Sequence, residues 1–412
     1  MLVPATAGHF ETSLLVLGAV LAAGALVSGL AHRSFLSLTA LFVVAGFLLG
    51  EGAIGVLHFH ARDSFVTDLA TVALIVILFR DGLEVDIEAL QEHWHLPLRK
   101  LVLAMPLTAG IVAVAAKLLT NLSWTECFLI GALLSPTDPV LSAAVVTDAR
   151  VPRLIRHSLN LESGLNDGLA LPAVLALAAT LAPAGEHVVW WQFLLEDLTI
   201  GVGVGLLVGY VAALLMPSEK GVDSGIPNHQ KALYALGVAF GAYGVAVLIP
   251  QGNGLIAVYV AAITFGIRRP DIGHCFAGQS ADLVELVKLG VFLVFGSLLT
   301  LDGLFGDGWA AVGIVVVTLL VARPIAVFAA LVGTGTSNAA KGFMAWFGPK
   351  GVATMTYSVL VLGEGIASGE RIFNIAALTV FCSIIVHGLT DTGGVRWIAR
   401  RSQEQRAASI QR

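Results

Sequence analysis

Thirteen stretches of this chain are apolar enough to lie in a bilayer, and almost nothing separates them. They run near 13–31, 35–57, 66–85, 101–120, 124–148, 158–182, 189–216, 231–250, 253–267, 279–300, 309–333, 340–362 and 371–391. A hydrocarbon core about 30 Å thick takes about 20 mostly apolar residues per helix, and inside it every backbone polar group must be paired within the chain. An all-α polytopic membrane protein of thirteen spans follows, with short loops such as the polar segment from Pro217 to Gln230. Charged residues make up only 12% of the 412 residues, about half the ~25% of a soluble domain. That excludes a cytosolic enzyme, a nucleic-acid binder and a disordered chain.

Other features add little. Cys127, Cys275 and Cys382 lie far apart, so neither a disulfide framework nor a CxxC site is expected. Glu11 precedes the first apolar run and no basic segment does, so that span is expected to stay in the mature protein. Cytoplasmic loops collect Lys and Arg. With the N-terminus outside, the inner side receives Arg99–Lys100, Arg150, Arg153 and Arg156, Arg268–Arg269 and the arginines of the tail, whereas the outer side holds Arg62 and Arg371. The expected topology is N-out and C-in, in a cell membrane. The bilayer domain covers 1–391 and a short basic cytoplasmic tail covers 392–412.

Ionisable residues within a span cost roughly 2.5–3.5 kcal/mol each on insertion scales, so each is a functional candidate. In the fifth span Pro136 and Pro139 bracket Thr137 and Asp138. Each proline removes a backbone donor and clashes with the preceding turn, so the helix should break there. A kinked packing helix would have no need of the aspartate. In the twelfth span Gly348-Pro349-Lys350-Gly351 makes a second interruption. Broken spans at matching places of two halves point to an inverted-repeat transporter. Repeat one then covers about 13–182, a linker span 189–216, and repeat two about 231–391.

The sixth span carries Glu162, Ser163, Asn166 and Asp167. At about 100° per residue these four fall within roughly 140° of one face. Hard oxygen ligands suit a small cation such as Na⁺ far better than a soft transition metal. A carboxylate withdrawn from water can hold a proton instead, so one site can take either. Arg323 in span 11, Lys350 in the second break and Asp81 in span 3 supply further buried charge. Since an unpaired buried charge is costly, the expected pairs are Arg323 with Glu162 and Lys350 with Asp81. Arg80 and Lys117 are expected to reach for an interface, and His58 and His60 to be solvated. The run Gly201-Val202-Gly203-Val204-Gly205 lies within a span and lacks the strand–turn–helix context of a dinucleotide loop. No HExxH is present, which removes support for zinc-dependent proteolysis.

With Ser135-Pro136-Thr137-Asp138-Pro139 followed by Glu162-Ser163-Gly164-Leu165-Asn166-Asp167, the chain resembles the monovalent cation:proton antiporters, in particular the bacterial NhaP-like sodium/proton exchangers. Arg323 in its VARP element, the GPKG break and the segment from Ser383 to Thr390 extend the resemblance over almost the whole length. It implies an NhaA/NhaP-like fold and a homodimer whose ion-binding core moves against a scaffold. The resemblance also implies that Asp167 binds Na⁺ or H⁺ alternately, with Glu162, Ser163 and Thr137 helping to coordinate the ion. Many relatives carry arginine where this chain has Lys350, and lysine, unlike arginine, can lose its proton when buried.

The expected function is therefore secondary antiport of Na⁺ or Li⁺ against H⁺, serving pH and sodium homeostasis, with no cofactor. Asn166 is neutral where the electrogenic branch has a second aspartate, so exchange is expected to be electroneutral and 1:1. K⁺/H⁺ exchange on the same scaffold is the rival substrate reading. An intramembrane enzyme using Asp138 and Asp167 as acid and base is the remote one, and the inverted repeat argues against it.

Overall fold

The computed structural model describes residues 38–60, 63–83, 95–138, 148–183, 190–217, 226–250 and 252–410, together with Leu15, Gly18, Ala19, Ala22 and Val145 as single positions. The first expected span, and Pro139 with most of the fifth span beyond it, lie outside the described residues. Every regular element among the described residues is helical. In chain order these are α1 (Leu38–Leu49), α2 (Ser64–Leu83), α3 (His95–Leu119), α4 (Trp124–Leu134), α5 (Arg153–Leu181), α6 (Trp190–Leu215), α7 (Asn228–Val247), α8 (Gly254–Arg268), α9 (Pro270–Gln279), α10 (Ala281–Ser297), α11 (Leu301–Phe305), α12 (Trp309–Ala330), α13 (Asn338–Trp346), α14 (Val352–Gly363) and α15 (Gly369–Ile410). Five of them, α3, α5, α6, α12 and α15, are long and apolar enough to cross a membrane.

Local sequence explains where these helices start. Ser123 and Glu126 form a reciprocal capping box at α4, the Asn253 side chain accepts from the first amides of α8, and Ser337 caps α13. Prolines act inside helices too. Both α3 and α12 loosen into a π-helical stretch, Lys100–Ala104 and Val317–Ala322, just before Pro106 and Pro324. A proline cannot donate to the carbonyl four residues back, and the helix widens where that bond is lost.

Packing divides the helices into two groups that meet along α5 and α14. In one, α6, α7 and α2 pack on α8, and α1 packs on α10. Gly201, Gly205 and Gly209 line the α6 face here: an added Cβ would run into Ile256, Ala257 or Ala261, so the glycines let the two backbones approach. In the other group α3 packs on α4 and α12, α4 on α5, and α14 on α15. The boundary expected at residue 391 marks no structural change. One helix continues from 369 to 410, about 63 Å at 1.5 Å per residue, and Val395 and Ile398 are buried in a cluster with Phe343 and Phe347.

Candidate functional site

Two unwound segments meet beside α5. The first follows α4, which ends at Leu134, and runs through Asp138. The second lies between Trp346, the end of α13, and Val352, where α14 begins. The unwound segments are joined directly, because the Asp138 main-chain N–H donates to the Pro349 carbonyl at 2.8 Å. The Thr354 hydroxyl donates to the Leu133 carbonyl at 2.9 Å. The break expected at Gly348–Gly351 is present; at the first, the described residues show α4 ending at Leu134 and unwound backbone to Asp138, and Pro139 with the residues after it lies outside them.

Lys350 is only 1% exposed, and its ammonium does not meet Asp81. It donates instead to the carbonyls of Ser135 and Pro136, at 3.2 and 3.1 Å. These lie at the C-terminal end of α4, where unsatisfied carbonyls and the helix dipole favour a cation. The expected Lys350–Asp81 pair is thus corrected. The carbonyls left open where the helix unwinds after Leu134 are the nearer acceptors, and Asp81 has a partner of its own. The Lys350 main-chain N–H is held by Ser383 Oγ at 2.8 Å. His387, a turn further along α15, reaches the Trp346 carbonyl through Nε2 at 2.9 Å.

Asn166 ties α5 to the first break. Its Nδ2 donates to both the carbonyl oxygen and the hydroxyl of Thr137, at 3.0 and 2.9 Å. Beside it stands Asp167. Asn166 Oδ1 and Asp167 Oδ1 are buried and, among the described residues, have no hydrogen-bond partner. Two tyrosines fix the backbone around them: Tyr357 donates to the Asp167 carbonyl at 2.9 Å and Tyr259 to the Gly164 carbonyl at 3.0 Å. Gly168 is required here, since a Cβ would overlap the Tyr259 ring. Ser163 is half-buried on the same helix.

Glu162 is engaged differently. Arg323 reaches both of its oxygens, at 2.8 and 3.2 Å, and Lys100 donates to Oε2 at 2.7 Å. The expected Arg323–Glu162 pair is present. With two cations on its oxygens, Glu162 forms a buried ionic triad with Arg323 and Lys100. Sequence reasoning placed Lys100 at the inner end of its span, yet the residue is 1% exposed. Counting charges by side of the membrane says nothing about which way a side chain points, and no other signal singled it out.

The wall facing Asp167 is charged. Asp81 on α2 accepts from Arg80 at 2.9 and 2.6 Å, so Arg80 turns inward to a carboxylate rather than outward to an interface. Asp81, Asp138, Arg80 and Lys288 of α10 all lie within electrostatic reach of Asp167. No group of three His, Cys, Asp or Glu among the described residues is arranged to hold a metal ion. Lys117 donates to the Leu122 carbonyl at 2.7 Å, beside the Trp124 ring at the helix end. His58 and His60 are exposed.

Comparison with known proteins agrees with this geometry. The family profile described as "Sodium/hydrogen exchanger, transmembrane" matches residues 19–396. The K(+)/H(+) antiporter NhaP2 of Shewanella oneidensis is 24% identical over 389 residues, covering 93% of this chain and 67% of that protein. The K(+)/H(+) antiporter NhaP of Alkalimonas amylolytica is 25% identical over 394 residues, covering 94% and 67%. The solved structure of the sodium proton antiporter MjNhaP1 from Methanocaldococcus jannaschii superposes with a TM-score of 0.81 at 19% identity, covering 95% of this chain and 99% of that one. These relatives are transporters and not enzymes. The unwound segments beside Asp167 therefore sit in a fold shared with the antiporters, and the chain belongs to the sodium/hydrogen exchanger family.

Proposed function

We propose that the protein exchanges one monovalent alkali cation for one proton at Asp167. The observation that carries this reading is the pair of buried, unpartnered oxygens, Asn166 Oδ1 and Asp167 Oδ1, beside the unwound segments. Irregular backbone at membrane depth is tolerated where it lines a cavity. A buried carboxylate flanked by neutral oxygens holds a desolvated monovalent cation or a proton, and not both. Thr137 and Ser163 are the further oxygen ligands, and Asp138 adds negative charge from the break. Glu162, Arg323 and Lys100 form the strut that holds α5 against α3 and α12.

Each bound species neutralises the carboxylate, so the carrier crosses with the same charge on both legs and the exchange is electroneutral. Alternating access follows, with the helices around the unwound segments moving against α2, α8 and α10. Thirteen spans in two inverted repeats, about 13–182 and 231–391, with 189–216 as linker, an outside N-terminus, a cytoplasmic tail and a homodimer complete the proposal. Antiport of this kind serves pH and cation homeostasis in a cell membrane. The named relatives divide between K⁺ and Na⁺, and the ligand chemistry admits either.

The test uses purified protein in liposomes with an acidic interior and an internal pH dye. Na⁺, Li⁺ or K⁺ is added outside, for the wild type and for Asp167→Asn. Cation-dependent alkalinisation that vanishes in a folded Asp167→Asn protein is expected, and the cation that drives it identifies the substrate. A variant that still exchanges at the wild-type rate would remove Asp167 from the mechanism.

A further inference from the structure

The polar residues between Ser383 and Thr390 take no part in the exchange as proposed. Ser383, His387 and Thr390 are spaced by four and three positions on α15, so they share one helix face, and that face meets the second break. In an unbroken helix the Lys350 N–H would donate to the Trp346 carbonyl, four residues back. Pro349 disfavours helical backbone in the residue before it, residues 347–351 are unwound, and that bond is not made. Its donor and its acceptor must each find another partner.

Two buried side chains of α15 supply both. Ser383 Oγ accepts from the Lys350 N–H at 2.8 Å, and His387 Nε2 lies 2.9 Å from the Trp346 carbonyl. A carbonyl only accepts, so the partner assigns the proton to Nε2. The Gly348 N–H shares that carbonyl across a tight turn, at 2.9 Å. The two side chains also meet each other: His387 Nδ1 stands 3.1 Å from Ser383 Oγ and 2.7 Å from the Ser383 carbonyl. Whichever of these Nδ1 uses, the ring is anchored at Ser383. Further along the face, Thr390 Oγ1 accepts from Trp346 Nε1 at 2.9 Å. The path continues towards the site. Lys350 Nζ donates to the carbonyls of Ser135 and Pro136, and the Pro349 carbonyl accepts from the Asp138 N–H. Between those anchor points lies Thr137, both of whose oxygens accept from Asn166.

We propose that Ser383 and His387 are positioning residues for the exchange: together they replace the main-chain bond that the second break lacks, and through Lys350 and Asp138 they hold Thr137 in place beside Asn166 and Asp167. The proposal rests on Asp167 being the exchange site and Thr137 one of its ligands. It gives α15 a part in cation affinity, although neither side chain touches the ion. A path of contacts is not by itself coupling, so the test measures the coupling.

Ser383→Ala, His387→Leu, His387→Gln and the double variant Ser383→Ala with His387→Leu would be compared with the wild type and Asp167→Asn, using Na⁺, Li⁺ and K⁺ as probes. Rates of cation-dependent alkalinisation in proteoliposomes give KM and kcat. The cation concentration that half-maximally raises the melting temperature in detergent gives binding without turnover. Leaving one buried donor or acceptor unpaired is worth on the order of ten-fold in an equilibrium constant. Ser383→Ala and His387→Leu should each raise KM and the half-maximal concentration by about that factor. Either change breaks the same bridge, so the double variant should lose about ten-fold and not the hundred-fold of independent sites. His387→Gln, whose amide can still donate to the Trp346 carbonyl, should return towards the wild-type KM. A merely structural pair would instead lower kcat and the melting temperature, leave both cation readouts unmoved, and act additively in the double variant. That result, or a Ser383→Ala KM within about two-fold of the wild type, overturns the proposal. Should His387→Leu fail to fold, Ser383→Ala decides alone, because it removes a single hydroxyl and leaves a good helix former in its place. Were the wild type inactive with every cation, or Asp167→Asn fully active, the antiport reading itself would fall, and this proposal with it.

Discussion

The main-chain N–H of Asp138 donates to the carbonyl of Pro349 at 2.8 Å, so two unwound segments from opposite halves of the chain satisfy each other. That bond makes the unwound backbone tolerable in a low-dielectric interior, where an unpaired backbone group costs several kcal/mol. Lys350 serves the same end from the other direction by capping the carbonyls of Ser135 and Pro136. The two unwound segments are thus tied to each other at both Asp138 and Lys350. Beside them, Asp167 Oδ1 and Asn166 Oδ1 are buried without a hydrogen-bond partner among the described residues, and in the proposed exchange they are the atoms offered to the cation.

Glu162→Gln should destabilise the protein rather than simply alter its substrate affinity. It leaves Lys100 and Arg323 as two buried cations with no countercharge, and breaking a buried pair on one side typically costs about 3–5 kcal/mol. The melting temperature in detergent should fall substantially, whereas Lys100→Met should have a smaller effect because Arg323 still spans both carboxylate oxygens. Gly348→Ala tests the same strut from the far side, since its Cβ would overlap the Arg323 guanidinium. A Glu162→Gln protein that melts with the wild type would show that the triad is not structural.

Asn166 separates holding the site open from holding charge. Asn166→Ala removes both bonds to Thr137 and leaves a buried carbonyl without its donor, a loss of about 1–3 kcal/mol. Cation affinity should weaken by roughly ten- to a hundred-fold at that cost, with Asp167 still able to exchange. Asn166→Asp adds a second carboxylate beside the first, so exchange should become sensitive to membrane potential. Measuring proton flux under a clamped potential distinguishes the two variants. A potential-insensitive Asn166→Asp would count against the electroneutral scheme.

Much of this site was legible in the sequence, because the bilayer makes intramembrane charge and proline rare enough to stand out. The Arg323–Glu162 pair, the break at Gly348–Gly351 and the end of α4 before Pro136 follow from that argument, as does the choice of Asp167 and Asn166 as candidates. Three features did not. Lys100 sits at the start of a span, where a lysine is unremarkable until the π-helical turn before Pro106 carries it inward. The Lys350 pairing failed because carboxylates were counted as partners and freed backbone carbonyls were not. Arg80 was read as snorkelling because sequence neighbours on a helix normally diverge, and only the fold shows the guanidinium bending back. For Lys100 and Arg80 the missing information was the direction of a side chain relative to its own helix.

The C-terminal helix gives the last prediction. Composition marks everything after residue 391 as a short basic tail, and within it Val395 and Ile398 are buried in the cluster containing Phe343 and Phe347. Gly394 leaves no room for a Cβ beside the Phe347 ring. Phe347 opens the second unwound segment, so this stretch of α15 braces the backbone that carries Lys350. Burying two aliphatic side chains is worth about 3–6 kcal/mol as an upper estimate. Truncation after residue 391 should therefore lower the melting temperature and abolish exchange, whereas truncation after Glu404 should leave both near wild type, because the helix at 403–404 is exposed. Gly394→Val in the full-length chain should reproduce part of the first effect without removing any of the arginines. If the Gly394→Val and 1–391 proteins both exchange normally, the helix beyond 391 is a passenger; if only the truncation fails, the basic residues matter and the packing does not.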